Sequence, residues 1–435
     1  MYFKVKPGGI IKGEARVPGD KSISHRAIML GALAEGTTRI SGFLEGEDAL
    51  ATLGAFRAMG VSVEGPEEGR VVVHGVGLRG LKPPAAPLDL GNAGTGMRLM
   101  CGLLAGQQFD AELTGDASLR SRPMGRVIDP LMRMGALIVS TDEGRPPLKV
   151  TGGVCLQGIH YDLPMASAQV KSCLLLAGMY AQGCTEVTEP APTRDHTERM
   201  LRGFGYSVES DNGVIALHGG GQLRACDIDI PADISSAAFF LVAASLVPGS
   251  DLLLTHVGIN PTRIGVINIL NLMGADISLL NQREVGGEPV ADIRVRYAQL
   301  HGIEIPPEQV PLAIDEFPAL FIAAACARGR TVLRGAEELR VKESDRIAAM
   351  AEGLATLGVV NEVLDDGIII DGGELGGGDI HTYHDHRIAM SFAVAALRAN
   401  AVITVLDCDH VATSFPGFDR LARQLGVRLE IGGQA

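Results

Sequence analysis

A six-fold internal repeat is the feature of this 435-residue sequence that most constrains its fold. Each copy contains a glycine with apolar residues four positions and one position before it, as in Phe56 to Gly60 and Leu131 to Gly135. The six glycines are 68 to 84 residues apart, at positions 60, 135, 205, 274, 358 and 426. This apolar spacing before a glycine indicates an amphipathic helix and its C-cap. The chain is therefore predicted to repeat one α/β unit.

Each copy also contains a second, almost wholly apolar helix that begins about forty residues before the glycine. The six predicted helix starts lie near Ser22, Asn92, Ser167, Ser235, Phe317 and Ile388. A helix that is apolar on all sides is buried on all sides. We therefore predict an α/β protein with two lobes of three units each, in which the buried helices lie inside and the sheets lie outside.

The midpoint of the repeat count gives the predicted domain boundary. We assign residues 13–227 to a first lobe with repeats one to three, and residues 1–12 with 228–435 to a second lobe with repeats four to six. The first dozen residues are expected to add a strand to the second lobe. The chain would then cross between the lobes twice, which predicts a two-strand hinge.

Composition and charge exclude several classes of protein. The net charge of -13 argues against nucleic acid as a partner, because a polyanion usually binds to a basic face. No apolar run reaches the roughly 18 to 20 residues of a membrane span, and the first residues lack the apolar region of a signal peptide. The seven cysteines contain no CxxC pair. We expect a cytoplasmic, monomeric protein that binds neither nucleic acid nor membranes.

Basic residues at the predicted helix starts point to anionic ligands. Lys21, Arg26 and Arg387 lie close to the beginnings of buried helices, where a cation opposes the helix dipole. A bound anion would explain them, since helix N-termini and cations attract anions together. Ser235 and Asn92 can equally be read as N-caps.

In each copy the amphipathic helix before the glycine is expected to be half exposed, and the loops before these helices add further charge. We interpret Arg122 and the segment from Lys342 to Arg346 as phosphate- or carboxylate-binding residues. Arg120, Arg340 and Glu198 are expected to be solvated surface residues. The GxGxxG pattern from Gly75 to Gly80 precedes two prolines instead of a helix and is read as a turn, and no P-loop is present. No metal or cofactor is predicted, because His384-x-His386 lacks a clear third ligand.

These motifs, together with the segment from Ala412 to Pro416, resemble the 5-enolpyruvylshikimate-3-phosphate synthase family over nearly the whole chain. The resemblance implies an enolpyruvyl transferase-like fold, with three βαβαββ units in each of two lobes that close around the substrates. It implies transfer of the enolpyruvyl group of phosphoenolpyruvate to the 5-hydroxyl of shikimate 3-phosphate, in the pathway to chorismate and the aromatic amino acids. The resemblance further implies that phosphate is released through a tetrahedral intermediate, without a metal or cofactor.

The resemblance also assigns site residues. Those expected to bind shikimate 3-phosphate are Lys21, Ser22, Arg26, Ser167, Ala168, Gln169, Arg194, Asp315 and Lys342. Those expected to bind phosphoenolpyruvate are Lys21, Gly94, Arg122, Gln169, Arg346 and Arg387. The expected catalytic residues are Asp315 as the base, with Glu343 and Lys21 as its proton-transfer partners.

Two departures from the common bacterial pattern are Ala168 and Ser414, where many relatives have serine and lysine. They resemble the branch of the family that tolerates the herbicide glyphosate, whereas Gly94 lacks the alanine side chain that one tolerant form carries. Three alternative functions are enolpyruvyl transfer to UDP-N-acetylglucosamine, cyclisation of RNA 3'-phosphate ends and a non-catalytic module that binds phosphate ligands. Lys21-Ser22 and the cysteine-free stretch 114–127 count against the first alternative.

Overall fold

The computed structural model of the chain describes residues 1–433. The chain forms two compact units. Unit 1 consists of Met1–Pro18, Pro231–Glu284 and the residues from Pro289 onward, and unit 2 consists of Gly19–Ile230 with Val285–Glu288. The predicted lobe boundaries and the two-strand hinge stay predictions. Within residues 1–433, no helix has both the length and the apolar character that a membrane crossing requires.

Thirteen α-helices lie in this described part of the chain. They are α1 Lys21–Leu33, α2 Glu47–Ala58, α3 Gly94–Ala105, α4 Ala117–Ser121, α5 Gly125–Arg133, α6 Ala168–Gly178, α7 His196–Gly203, α8 Ile234–Leu246, α9 Gly265–Leu272, α10 Phe317–Cys326, α11 Arg346–Thr356, α12 His386–Ala395 and α13 Phe418–Gln424. The six predicted apolar helices are α1, α3, α6, α8, α10 and α12. Each begins within two residues of its predicted start.

The strands of residues 1–433 form six small sheets. They are β1 Tyr2–Lys6, β2 Lys12–Ala15, β3 Glu35–Ser41, β4 Ser62–Glu67, β5 Arg70–Val76, β6 Leu88–Asp89, β7 Ala111–Thr114, β8 Leu137–Thr141, β9 Arg145–Thr151, β10 His160–Asp162, β11 Cys184–Thr188, β12 Glu209–Asp211, β13 Val214–His218, β14 Ile228–Asp229, β15 Asp251–Gly258, β16 Asp276–Val285, β17 Glu288–Arg296, β18 Arg330–Leu333, β19 Asn361–Leu364, β20 Gly367–Asp371, β21 Gly378–Ile380, β22 Ile403–Val405 and β23 Arg428–Gly432.

Unit 2 contains three sheets of one pattern, with strand orders β14-β3-β5-β4, β6-β7-β9-β8 and β10-β11-β13-β12. In each sheet the first pair is parallel and the remaining pairs are antiparallel. The buried helix α3 packs against both α1 and α6. Their apolar side chains belong to one continuous core, to which the inward faces of the three sheets contribute.

Unit 1 also contains three sheets, with strand orders β16-β17-β15-β2, β18-β20-β19 and β21-β22-β1-β23. The sheet β18-β20-β19 has only three strands, and both of its pairs are antiparallel. The N-terminal strand β1 lies between β22 and β23 and is antiparallel to both. Helices α8, α10 and α12 pack on one another in the core, and all thirteen residues of α8 are buried. The predicted fold class, with buried helices within each set of three sheets, is confirmed.

The repeated glycine of the sequence has a local structural cause. The six glycines follow α2, α5, α7, α9, α11 and α13, and their φ angles lie between +80° and +111°. A side chain is disfavoured at such angles, so glycine is the usual residue just after a helix end. Because glycine has no side chain, the chain can turn at this position from each half-exposed helix into the next strand or loop of its unit.

Candidate active site

The start of α1 carries two of the predicted cations of unit 2. Asp20 caps the helix by accepting a hydrogen bond from the Ile23 amide, and the first helical residue is Lys21. The Lys21 Nζ lies 2.7 Å from Oδ2 of Asp48, which is itself buried. An internal carboxylate therefore balances Lys21. The helix-start argument for a ligand is weaker here than the sequence indicated.

Arg26 is buried one turn further along α1. Its Nε donates to Thr197 Oγ1 at 2.7 Å, its Nη1 to the Ser22 carbonyl oxygen at 2.9 Å, and its Nη2 to Ser172 Oγ at 2.8 Å. Burial lowers the pKa of the Arg26 guanidinium to about 10, although the charge of Glu198 opposes this shift. The positive charge of Arg194 also lowers the pKa of Arg26. These two residues, both predicted to bind an anion, therefore interact electrostatically within unit 2.

His25, between the two cations of α1, is expected to make stability pH-dependent. Burial, followed by the charges of Lys21 and Arg26, lowers the pKa of His25 from 6.5 to about 3. Between these values the unfolded chain binds a proton that the folded chain does not. The contribution of neutral His25 to the free energy of unfolding is thus fully present above pH 6.5. It is lost as the pH drops towards 3, by at most ~1.4 kcal/mol per pH unit. The free energy of unfolding can be measured with urea at neutral pH and near pH 5. Between these two pH values it should fall more for the unsubstituted chain than for His25→Gln. An equal fall in both proteins would contradict this assignment.

The second predicted anion site of unit 2 lies at the start of α3. Arg122 donates through Nη2 to Asn92 Oδ1 at 2.5 Å and to Ser118 Oγ at 3.2 Å. A Cβ added to Gly94 would lie 2.9 Å from the Arg122 Nη1. The N-cap of α3 is Ala93, so Asn92 is not the N-cap. Asn92 instead accepts a hydrogen bond from Arg122, which is predicted to bind phosphoenolpyruvate.

The start of α6 brings Ser167, Ala168 and Gln169 beside α3. The Ser167 hydroxyl caps α6 by accepting from the Val170 amide, and Ala168 is the first helical residue. The amide of Gln169 accepts from Arg98 Nη1 at 2.6 Å. It also donates to Thr95 Oγ1 at 2.9 Å. Contacts from α3 thus fix the orientation of Gln169.

Unit 1 holds the other predicted residues around the buried Arg346. Its guanidinium donates from Nε to Asp385 Oδ2 at 2.8 Å, from Nη2 to Glu343 Oε2 at 2.6 Å, and from Nη1 to Asp315 Oδ1 at 3.4 Å. Burial alone would lower the pKa of Arg346, but the charges of Asp385, Glu343 and Asp315 together raise it above its ordinary value. Arg346 therefore remains charged and links two predicted catalytic carboxylates.

Asp315 also contacts two further predicted residues. Its Oδ1 lies 3.4 Å from Lys342 Nζ, and its backbone carbonyl accepts from Arg387 Nη1 at 2.9 Å. Lys342 also pairs with Glu338 at 2.5 Å. Two cationic side chains, Lys342 and Arg346, thus lie beside the Asp315 carboxylate. Carboxylate and cationic side chains are the groups that proteins use for proton transfer and for anion binding.

The predicted site residues fall into two groups, one in each unit. The group in unit 2 comprises Lys21, Ser22, Arg26, Gly94, Arg122, Ser167, Ala168, Gln169 and Arg194, and the group in unit 1 comprises Asp315, Lys342, Glu343, Arg346 and Arg387. Within residues 1–433, no group of three or more His, Cys, Asp or Glu side chains is arranged to hold a metal ion.

Several sequence interpretations were wrong. The N-cap of α8 is Asp233, and Ser235 instead contacts Arg263 and Glu316. Glu198 is not a surface residue, because it is 1% exposed and lies 2.6 Å from the buried Lys171. Arg340 is partly exposed, as a surface residue is, but its guanidinium also donates to Asp345 and to the carbonyl oxygens of residues 364 and 365.

Two partners of the predicted ligands were missed. Asp48 pairs with Lys21 across 27 residues, and no local pattern reveals that contact. Asp385 lies two residues before Arg387, at the start of the sixth apolar helix. Its N-cap position was a usable signal, since aspartate is common there.

The chain is similar to known proteins over nearly its whole length. Residues 5–421 match the family described as EPSP synthase (3-phosphoshikimate 1-carboxyvinyltransferase). The 3-phosphoshikimate 1-carboxyvinyltransferase of Methylococcus capsulatus is 66% identical over 431 residues, which are 99% of each chain. The EPSP synthase structure from Acinetobacter baumannii is 58% identical with a TM-score of 0.90, and the match covers 99% of this chain and 100% of that one.

A more distant structure supports the fold alone. The enolpyruvyl transferase NikO from Streptomyces tendae is 19% identical and has a TM-score of 0.82, with 100% of this chain and 99% of that chain covered. The family match spans most of the described residues of both units, including every predicted site residue. The predicted family is confirmed, and the chain belongs to the EPSP synthase (3-phosphoshikimate 1-carboxyvinyltransferase) family.

Proposed function

We propose that this chain transfers the enolpyruvyl group of phosphoenolpyruvate to the 5-hydroxyl of shikimate 3-phosphate. The observation that carries this proposal is the family match over residues 5–421, with a curated relative of that name at 66% identity. The hydroxyl oxygen forms a bond to C2 of phosphoenolpyruvate, and the C2–O bond to phosphate breaks. The products are 5-enolpyruvylshikimate 3-phosphate and inorganic phosphate.

The predicted anion ligands of unit 2 would bind the phosphorylated substrates. Arg26 and Arg194 carry the positive charge for shikimate 3-phosphate, with Ser167 and Gln169 as neutral hydrogen-bonding partners. Arg122 would hold phosphoenolpyruvate, since a guanidinium can bind a phosphate or carboxylate through two parallel hydrogen bonds. Lys21 would exchange part of its contact with Asp48 for a substrate oxygen.

The carboxylates of unit 1 would move the protons. Asp315 would take the proton of the attacking hydroxyl, and Glu343 with Lys21 would deliver a proton to the methylene carbon and remove one when phosphate leaves. Arg346 and Arg387 would stabilise the negative charge of phosphoenolpyruvate and of the tetrahedral intermediate. Their contacts with Glu343 and with the Asp315 carbonyl hold these cations beside the proton-transfer groups.

The acceptor assay tests this proposal directly. The purified chain is incubated with phosphoenolpyruvate and either shikimate 3-phosphate or UDP-N-acetylglucosamine, and released phosphate and product mass are measured. We expect turnover with shikimate 3-phosphate only, also in the presence of EDTA. Binding without turnover would favour a non-catalytic module, and turnover with the nucleotide sugar would favour the other transferase. A cytoplasmic location and a monomeric state remain further predictions.

Glyphosate inhibition is expected to be weak. Ala168 and Ser414 replace residues that many relatives have, so we predict an inhibitor constant for glyphosate well above the Michaelis constant for phosphoenolpyruvate. Gly94→Ala should raise the inhibitor constant further, because the added Cβ would displace Arg122. Steady-state inhibition against phosphoenolpyruvate measures both constants. An inhibitor constant close to or below the Michaelis constant would contradict tolerance.

A further inference from the structure

The hydrogen bonds of Arg26 leave part of its guanidinium available to a ligand. An arginine side chain has five N–H donors. Within residues 1–433, Arg26 uses three of them, on Thr197, Ser22 and Ser172, one from each nitrogen. One N–H therefore remains on each terminal nitrogen. A pair of terminal N–H groups is the donor set that binds an oxyanion through two hydrogen bonds.

Two buried hydroxyl groups accept hydrogen bonds from this guanidinium. The Thr197 hydroxyl accepts from Arg26 Nε and donates to Ser172 Oγ at 2.7 Å, while Ser172 accepts from Arg26 Nη2. The three side chains thus form a closed ring of hydrogen bonds. Ser172 is 0% exposed, Thr197 is 1% exposed and Arg26 is 4% exposed, so water does not substitute easily for these contacts.

A buried salt bridge holds the two hydroxyls together. Ser172 follows Lys171 on α6, and Thr197 precedes Glu198 on α7. The Lys171 Nζ lies 2.6 Å from Glu198 Oε1, and the two side chains are 1% and 2% exposed. The helices that carry the hydroxyls are therefore tied to each other directly beside the ring.

We propose that Thr197 and Ser172 are positioning residues, whose paired hydroxyls turn the Arg26 guanidinium so that both terminal nitrogens face a substrate oxyanion together. This inference rests on the proposed function, in which Arg26 binds shikimate 3-phosphate. The hydroxyls do not touch the substrate themselves. If they only satisfied a buried cation, their loss would lower stability without a selective effect on one substrate.

Thr197→Val tests the proposal because valine keeps the shape of threonine and removes the hydroxyl. We expect the Michaelis and dissociation constants for shikimate 3-phosphate to rise ~10-fold or more, which corresponds to the loss of one well-oriented charged hydrogen bond. The turnover number and the Michaelis constant for phosphoenolpyruvate should change by less than ~3-fold, because Arg26 is assigned neither to phosphoenolpyruvate binding nor to proton transfer. Thr197→Ser should restore the constants to nearly those of the unsubstituted chain.

Thr185→Val is the matched control. Thr185 is equally buried in unit 2, on β11, but its hydroxyl takes no part in the Arg26 ring. We expect this variant to bind shikimate 3-phosphate normally. Equal effects of the two valine variants, or a loss of turnover number without a change in substrate affinity, would overturn the proposal.

Crystal structures of the unliganded variants separate this inference from the proposed function. If the unsubstituted chain binds no shikimate 3-phosphate, the proposed function fails. The orientation of Arg26 still decides the positioning role in that case. A guanidinium that rotates in Thr197→Val and keeps its orientation in Thr197→Ser supports the proposal, and an unmoved guanidinium in Thr197→Val contradicts it.

Discussion

Asp315→Ala is expected to lower the turnover number by ~10²- to 10⁴-fold, the usual contribution of a general base. The substitution removes the proposed acceptor of the hydroxyl proton but leaves Lys342 and Arg346, which lie 3.4 Å from that carboxylate. Because the local positive charge then increases, the Michaelis constant for phosphoenolpyruvate should stay constant or fall. Steady-state kinetics with each substrate varied in turn measures both effects.

Two controls sharpen this prediction. Asp315→Asn keeps the shape of the side chain and should lose nearly as much activity as alanine, because an amide does not act as the base. Asp371→Ala removes a carboxylate from an exposed ion pair with Arg330 and should leave turnover unchanged. Turnover within a few-fold of the unsubstituted enzyme for Asp315→Ala would show that the base is a different group.

Lys171→Met is expected to reduce the free energy of unfolding by ~3 to 5 kcal/mol, the typical cost of removing one partner from a buried ion pair. The Lys171 Nζ lies 3.0 Å from Glu189 and 2.6 Å from Glu198. The side chains of Glu189 and Glu198 are only 7% and 2% exposed, so without the ammonium group their two negative charges would remain in a region with little water. The segment between them carries Arg194.

Lys6→Met provides the matched surface control. Lys6 pairs with Glu430 at 2.6 Å, but both side chains are more than half exposed. Such pairs contribute at most ~1 kcal/mol, so the urea midpoint should barely move. Circular dichroism during urea unfolding reports both variants. Equal midpoints for the two variants would mean that water or protonation compensates the buried carboxylates of the Lys171 cluster.

The repeat was predictable from sequence because its cause is local. A glycine such as Gly60 or Gly274 is needed wherever the chain leaves a helix with positive φ, and that requirement recurs at the same place in each copy. The apolar helices were predictable for a similar reason, since burial on all sides demands an apolar residue at nearly every position.

A second set of repeated glycines was not predicted from the sequence. A Cβ added to Gly75, Gly219 or Gly372 would lie 2.1, 1.9 or 1.8 Å from the carbonyl oxygen of Ala34, Ala181 or Ala327. These glycines allow a strand end to pass close to the end of a buried helix. Their backbone angles need no glycine, so only the tertiary contact explains the residue, and that contact has no local signature.

The site was predictable in its cations and less so in their partners. Lys21, Arg26 and Arg387 stood out because cations at helix starts are unfavourable by themselves. The groups that compensate them inside the protein come from distant positions, as Asp48 and Thr197 do. Charge patterns over a few residues could not distinguish the buried Glu198 from a solvated surface residue.

The measurement that tests the central claim most directly follows the bridging oxygen of phosphoenolpyruvate. The enzyme is incubated with shikimate 3-phosphate and phosphoenolpyruvate labelled with heavy oxygen between C2 and phosphorus, and the products are weighed by mass spectrometry. Enolpyruvyl transfer predicts that the label leaves with inorganic phosphate and that shikimate 3-phosphate gains an unlabelled enolpyruvyl ether. Label retained in the organic product, or phosphate released without this ether, would contradict it.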